Sequence, residues 1–478
     1  MIDSLPGRRG WLRAAPMSAV SALPAMAAMT ALPAVVAVLT VLAVCAGVAG
    51  SLAAQEAVQE EAAPPRFRLR AEVKTNFRSS REVKFVDAFP FPPSFLPPGQ
   101  TQVFLETPQQ GSSFEVSTVN LIGEANLAPN LQGRIEVHVI DLYNRNPTSS
   151  DDRIQLREAW LRFGRKFEAL TAQPAGLTTY LLAGKAPRFS RQRVRQLESY
   201  GLWGTAVGRF EEDGLELGGT LGRHAYWRGQ LANGNPLFFR DPNALAGDNG
   251  TPERVPGDVH PIFQSGFPIL YDTKATDVNF SGRFQAGGGL GLRFVDAAGH
   301  GADLLGWYFR RRMADEVALR GTFYSGDLDL LLGPFNLFPL PVHGHDKTEW
   351  GANAEARAGG FLLFAQYVNQ KIAGLPRSGA EAELAWRAEV PGVLVGETPV
   401  LRWVEPVVRV SFINNGFVVP PLFPAPSVGW DWRKYDLGVK VGIVPGIDVT
   451  AEYALQDVHT RSGTIHPNEL LITLRAAY

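Results

Sequence analysis

The sequence predicts an all-β protein: an antiparallel transmembrane β-barrel of 16 or 18 strands, with short turns on one side and long loops on the other. Three observations predict it. Apolar and polar residues alternate with period two, the connections alternate between short and long, and the last residue, Tyr478, is aromatic. A barrel places its lipid-facing residues at every second position, so a mean hydropathy of -0.05 agrees with this class.

The alternation begins after residue 65 and continues to the end of the sequence. Residues 66–77 are RFRLRAEVKTNF, with apolar side chains at every second position and mainly charged side chains between them. Residues 133–142 and 435–444 repeat this pattern. About 18 such segments of roughly 8–13 residues have the length that a tilted strand needs to cross a bilayer. The pattern therefore favours membrane-crossing strands over helices.

The lengths of the connections give the segments a direction. Short periplasmic turns and long extracellular loops are typical of an outer-membrane barrel. Both termini of the barrel are therefore expected on the short-turn, periplasmic side. In the last segment, Leu474 and Tyr478 share an apolar face, which resembles the signal read by the barrel-assembly machinery. Short turns are predicted at residues 128–130, 222–224, 287–289, 313–315, 359–360 and 445–446, and long extracellular loops at 78–112, 188–208, 234–274, 327–346 and 414–431.

The first 54 residues have the order of a cleaved secretory signal. A basic start precedes the uncharged apolar stretch Ala34–Gly50, and small residues follow it, so cleavage is expected after Ala53 or Ala54. Met17 is an alternative start, and a retained membrane anchor over residues 31–54 is the alternative to cleavage. The predicted division is a signal at 1–54, a periplasmic spacer at 55–65 and an outer-membrane barrel at 66–478.

Composition argues against several other classes of protein. The formal net charge is -1, whereas a nucleic-acid binder is expected to carry a basic surface. The single cysteine, Cys45, lies in the predicted signal, so disulfide and thiol chemistry are not expected in the mature chain. No recognisable spacing of metal ligands or of catalytic residues occurs. We therefore predict no enzyme activity, no metal site and no cofactor.

A basic run in one predicted long loop is the best candidate for a pore constriction. Its arginines alternate, so an extended chain would point them to the same side. The guanidinium group is always charged, and its donors match phosphate or carboxylate geometry. The alternative is a solvated basic loop that contacts lipopolysaccharide phosphates or Glu198. The predicted constriction residues are Arg188, Arg191, Arg193 and Arg195.

Strand parity predicts a second set of basic residues that face the lumen. If the apolar face of each strand meets lipid, the charged face lines the interior. Acidic residues share the inner face, so mutual neutralisation inside an ordinary water-filled barrel is the alternative to a role in selectivity. The predicted lumen-facing cations are Arg162, Lys185, Arg228, Arg293, Arg310, Arg409 and Lys440.

Four short stretches resemble the phosphate-selective porin O and P family. They are residues 157–161 (REAWL), 182–190 (LAGKAPRFS), 213–219 (DGLELGG) and 230–234 (QLANG), and Arg188 departs from the family pattern by separating Pro187 from Phe189. The resemblance implies an outer-membrane porin of a Gram-negative-type bacterium, surrounded by lipid and lipopolysaccharide. It also implies passive diffusion of small anionic, phosphate-like solutes and a homotrimer. The alternatives are a general or carbohydrate/uronate channel and a structural barrel without conductance.

Overall fold

In the computed structural model, sixteen antiparallel strands form one closed sheet, which confirms the predicted all-β transmembrane barrel. Each of these strands pairs with its neighbours along the chain, and the first pairs with the last, so the sixteen barrel strands leave no open sheet edge. The structure describes residues 66–80, 84–86, 104–106, 111–141, 154–165, 170, 176–190, 195–199, 201–202, 211–233, 284–319, 328–330, 343–372, 374–390, 393–395, 398–416, 430–460 and 463–478. The predicted signal and spacer lie outside these residues.

We number the barrel strands in chain order. They are β1 Phe67–Ser80, β2 Gly111–Ala128, β3 Leu131–Asp141, β4 Gln155–Gly164, β5 Leu177–Pro187, β6 Glu211–Leu221, β7 Ala225–Ala232, β8 Gln285–Val295, β9 Gly301–Leu319, β10 His343–Ala358, β11 Phe361–Ile372, β12 Leu375–Trp386, β13 Trp403–Asn415, β14 Asp431–Val444, β15 Ile447–Thr460 and β16 Glu469–Ala477. Shorter strands are Lys84–Val86 paired with Phe104–Glu106, Leu328–Leu330 on β9, Ala388–Glu389 on β13 and Gly463–Ile465 on β15. A separate small ladder joins Leu394–Val395 to Thr398–Pro399.

Period-two alternation separates the two faces of the barrel, as β14 illustrates. Lys434 and Asp436 are fully buried and point to the interior, whereas the intervening Tyr435 and Leu437 are 42% and 49% exposed on the outside. A shift of one residue would reverse every side chain, so the burial pattern fixes the register. Because large apolar side chains cover the outside, this surface suits lipid. No helix among the described residues has the length and apolar character required to cross a bilayer.

Four of the predicted short turns occur where expected, between β2 and β3, β6 and β7, β10 and β11, and β14 and β15. Gly446 shows why the last of these turns uses glycine. Its φ of 75° lies in the left-handed region, and a Cβ there would overlap the backbone oxygen of Ala477. The alternation of lengths has three exceptions. Residues 165–176 join β4 to β5 and residues 387–402 join β12 to β13 on the short-turn side, whereas residues 373–374 join β11 to β12 on the long-loop side.

Two predicted turns are wrong, because residues 287–289 lie within β8 and residues 313–315 within β9. The glycines of β8 serve close packing rather than chain reversal. A Cβ on Gly287 would overlap the ring of Phe309, and one on Gly289 would lie 3.0 Å from the ring of Phe189. A glycine inside a strand often marks such a close approach.

Candidate functional site

The connection from β5 to β6 enters the barrel over its described part, residues 188–190, 195–199 and 201–202, which we name the inner loop. Its first end contacts the β8–β10 wall, where Nδ2 of Asn353 donates to the carbonyl oxygen of Ser190 at 2.9 Å. Its second end contacts the wall formed by β12–β15 and β1, where the backbone N–H of Leu202 donates to Oγ of Ser411 at 3.1 Å. The inner loop therefore contacts inward-facing residues of two separate parts of the wall.

Arg188 fixes the first end of the inner loop. Its Nη1 lies 2.6 Å from Oε2 of Glu349, and its guanidinium carbon lies 4.0 Å from the centre of the Phe309 ring. The neighbouring Phe189 packs against the same ring, with a centroid distance of 4.9 Å. An ion pair and a cation–π contact act together here. Since Arg188 already has a carboxylate partner, it serves as an anchor rather than as an unpaired anion site.

A dense hydrogen-bond network holds the second end of the inner loop. Glu452 on β15 accepts hydrogen bonds from the backbone N–H groups of Glu198 and Ser199, at 2.6 and 3.0 Å, and from Oγ of Ser199 at 2.7 Å. Arg409 on β13 donates to the carbonyl oxygen of Ser199 at 2.9 Å and to its Oγ at 2.6 Å. Hydrogen bonds to ionised groups are the stronger kind, so this network defines the position of the loop.

The Glu198 side chain links the loop to two further strands. Its carboxylate lies 2.6 Å from Nζ of Lys74 on β1 and 3.4 Å from Nζ of Lys440 on β14. Burial would raise the pKa of Glu198, but the positive charges of Lys74, Lys440 and Arg195 outweigh it and hold the pKa well below its usual range. Glu198 therefore stays ionised at neutral and mildly acidic pH.

The lowered pKa of Glu198 predicts a contact that is insensitive to mild acid. A depressed carboxyl pKa stabilises the folded state above the unfolded pKa of about 4.3, and this stabilisation is lost only as pH falls towards the folded pKa. We expect Glu198→Gln to change channel conductance by the same factor at pH 7 and at pH 5, measured in planar bilayers. A mutational effect that disappears between these pH values would contradict the shift.

Five of the seven predicted lumen-facing cations face inward, and each of these five has a partner. Arg409 pairs with Asp436 at 2.9 Å and Arg293 with Asp303 at 2.8 Å. Further contacts join Arg228 to Glu216 and the Tyr226 ring, Arg162 to Gln132 and the Trp160 ring, and Lys440 to Glu198 and Asp448. On the described inner wall, four of these five cations therefore lie beside a carboxylate, whereas Arg162 contacts an amide and an indole ring. Within this described wall, no three His, Cys, Asp or Glu side chains are arranged to hold a metal ion.

The prediction is wrong for Lys185 and Arg310, which lie on the outer face. On β9 the buried Trp307 and Phe309 alternate with the exposed Arg310, whose side chain is 58% exposed and pairs with Asp346 at 3.3 Å. Lys185 lies between inward-facing residues of β5, and its Nζ donates to the carbonyl oxygen of Leu156. Both parities of these strands carry apolar residues, so the sequence pattern does not determine which face meets lipid.

Several residues that hold the inner loop were missed. The carboxylates Glu349, Glu383 and Glu452 lie on inner faces, and Glu383 accepts the backbone N–H of Gln196 at 2.7 Å. The period-two alternation of each strand could have assigned these carboxylates to the inner face. Their role depends on closure of the barrel, which brings Ser199 and Glu452 together across a sequence separation of 253 residues. Arg191 and Arg193 lie outside the described residues, and Arg195 is half-buried in the loop.

A closed barrel of sixteen antiparallel strands with a loop folded inside defines the porin fold. Pseudomonas putida OprB is 9% identical with a TM-score of 0.50, over 86% of this chain and 94% of that chain. The outer membrane channel DcaP of Acinetobacter baumannii is 10% identical with a TM-score of 0.47, over 86% and 97%. An anion-selective porin from Comamonas acidovorans is 9% identical with a TM-score of 0.40, over 86% and 99%. No family model and no curated sequence matches, so the resemblance to the phosphate-selective porin O and P family stays a prediction.

Proposed function

We propose that this protein is an outer-membrane porin of a Gram-negative-type bacterium, through which small solutes diffuse passively. The observation that supports this proposal is the inner loop, which is docked on the inside of a closed barrel and would form the constriction. The solute would move down its own gradient, so the proposal requires no catalysis and no cofactor. The proposal also states that residues 1–54 are removed during export and that residues 55–65 form a periplasmic spacer. The short turns would then face the periplasm.

We further propose that the constriction favours small anionic, phosphate-like solutes. Two described residues of the inner loop, Ser190 and Arg195, lie inside the barrel. Arg191 and Arg193 lie between them in sequence, and with Arg195 they would supply three guanidinium groups to the diffusion path. Rings of arginine favour anions in pores, and the guanidinium fork matches phosphate.

A general diffusion channel is the second candidate, and the compensated charges of the wall favour it. Arg409 and Lys434 share Asp436, at 2.9 and 3.1 Å, and Arg188 is neutralised by Glu349. A wall of paired charges gives a polar, hydrated lining without a strong preference for one sign of charge. This candidate therefore predicts weak ion selectivity.

Planar-bilayer recording separates the two candidates. We expect discrete conductance steps, a reversal potential that favours anions in a salt gradient, and inhibition of chloride current by phosphate. Replacing Arg191, Arg193 and Arg195 together by glutamine should abolish the anion preference and the inhibition. The matched control replaces three exposed arginines at the short-turn end, Arg66, Arg165 and Arg223, and should leave both unchanged.

The alternative results are equally informative. A reversal potential near zero in the unmodified protein would favour the general channel. Absence of conductance in a correctly folded protein would indicate a structural barrel and overturn the porin proposal. If the triple variant keeps its anion preference, the three arginines do not determine selectivity, but the channel proposal still holds.

We also propose that β16 carries the assembly signal. Leu474 lies on the outer face of this strand, and Tyr478 beyond it is 91% exposed. At the seam, the N–H of Tyr478 donates to the carbonyl oxygen of Ala71, and the N–H of Ala71 donates back, both at 2.9 Å. The outer face is thus available to the barrel-assembly machinery while the backbone closes the barrel. A homotrimer, which the family resemblance implies, is tested by cross-linking in membranes.

A further inference from the structure

A shallow apolar groove crosses the outer face of β9–β13. A single line of paired residues passes through it: Leu304, Ala354, Ala365, Ala382 and Val410 are opposite one another on five neighbouring strands. Three alanines between two larger side chains leave a depression about three strands wide, since neighbouring strands are about 4.8 Å apart. Its width and apolar lining suit a hydrocarbon chain.

Aromatic side chains bracket the groove above and below. Towards the short-turn end, Phe361 and Trp386 stack with a centroid distance of 6.0 Å. Towards the long-loop end, Trp350 contacts Tyr367 at 5.5 Å and lies opposite Tyr308 in the strand register. Aromatic girdles mark the two interfaces of a barrel with its bilayer, so the groove lies at the depth of the acyl chains.

Three outward-facing cations lie just beyond the upper girdle. Arg310 and Arg312 follow Tyr308 on the outer face of β9, and Lys371 occupies the outer face near the end of β11. Arg310 and Lys371 both pair in register with Thr348 on β10, so their backbones are about 10 Å apart. Asp346 is the one acidic side chain described on the outer face here, and it lies 3.3 Å from Arg310.

We propose that this face of the barrel binds a phosphorylated, acylated glycolipid of the outer leaflet, with the chemistry of lipid A. An acyl chain would occupy the alanine groove, and the headgroup phosphates would contact Arg310, Arg312 and Lys371. The two parts of the site are stacked in the order that such a lipid requires, with charge above the aromatic side chains and hydrocarbon below them. The inference rests on the outer-membrane placement in the proposed function.

The charge of the patch distinguishes this occupant from others. A zwitterionic phospholipid has no net charge to match three cations and one carboxylate. A second copy of this chain, docked through the same face, would bring identical cations together. A phosphorylated glycolipid offers both the negative charge and the acyl chains, so it complements both parts of the site.

Native mass spectrometry of the purified full-length mature protein in detergent tests the site. The ligands are bisphosphorylated lipid A and its dephosphorylated form. We expect the variant R310Q/R312Q/K371Q to bind bisphosphorylated lipid A about tenfold more weakly or worse, since each surface cation contributes to binding an anionic lipid. Asp346→Asn should strengthen binding, because it removes the competing carboxylate. Ala365→Phe fills the groove and should weaken binding of both lipids.

The control is the variant R66Q/R165Q/R223Q, which removes the same charge at the opposite end of the barrel and should bind as the unmodified protein does. Equal binding by the R310Q/R312Q/K371Q variant would overturn the proposal. Loss of a protein oligomer rather than of lipid on Ala365→Phe would overturn it too, and would identify the face as a subunit interface. Conductance in pure phosphatidylcholine bilayers separates the two proposals: conductance without lipid A binding removes the lipid site alone, and binding without conductance removes the channel alone.

Discussion

Replacement of Glu452 by alanine is expected to increase single-channel conductance several-fold. Its carboxylate accepts hydrogen bonds from three donor groups of Glu198 and Ser199, so its loss removes the main attachment of the inner loop to β15. The two N–H groups and the hydroxyl would then need water as a partner, and hydration favours release of the loop from the wall. Arg409 still contacts Ser199, so partial rather than complete displacement is expected.

The measurement is single-channel recording in planar bilayers, with Asp303→Ala as the matched control. Asp303 is also a buried inward-facing carboxylate, but its partners, Arg293 and Tyr226, belong to the wall. That variant should fold less stably and keep its conductance. Glu452→Gln should give an intermediate increase, because one amide oxygen can still accept from the loop. Equal conductance in Glu452→Ala and the unmodified protein would show that the loop does not limit the diffusion path.

The architecture could be predicted because a barrel repeats one physical rule sixteen times. In β14, inward Lys434 and outward Tyr435 differ so clearly that polarity alone assigns the face. Short turns such as the one at Gly446 add local signals that need no knowledge of distant residues. Closure then follows, since a transmembrane sheet cannot leave an unpaired edge in lipid.

The same rule fails where both parities of a strand are apolar. On β9, Trp307 and Phe309 face inward to support the inner loop, and Arg310 therefore faces outward. The prediction of a turn at the β8 glycines is wrong for a related reason, because Gly287 and Gly289 lie against aromatic rings from β9 and the inner loop. These choices depend on contacts between distant segments. A single sequence carries no period or spacing that reveals them.

The candidate site shows the same division. The run of alternating arginines, which includes Arg188, lies in the loop whose described part contacts the inside of the barrel, and its role as a constriction stays a prediction. The partner of Arg188, Glu349, is 161 positions away on β10, and the pairing depends on how the loop enters the barrel. The sequence shows which residues are charged, whereas the structure shows which charges compensate one another. That difference decides between an anchor and a selectivity residue.

Replacement of Arg409 by methionine is expected to destabilise the barrel by about 3–5 kcal/mol, the usual cost of removing one partner from a buried ion pair. Arg409 is fully buried, pairs with Asp436 at 2.9 Å and lies 3.5 Å from Glu383. Methionine keeps most of the volume but leaves the two carboxylates with less positive charge. Asp436 keeps Lys434 as a partner at 3.1 Å, so the loss of positive charge affects Glu383 more than Asp436. Urea unfolding of protein refolded into vesicles, followed by tryptophan fluorescence, measures the change.

Arg293→Met is the control that separates the role of Arg409 in the wall from its role in the loop. Arg293 is equally enclosed and pairs with Asp303, so its loss should lower the free energy of unfolding by a comparable amount. Only Arg409 also donates to Ser199, so only Arg409→Met should raise conductance as well. If both variants lose stability and neither changes conductance, Arg409 stabilises the wall but does not hold the inner loop. An unchanged unfolding midpoint for Arg409→Met would mean that its buried pairs add no net stability, because desolvation offsets them.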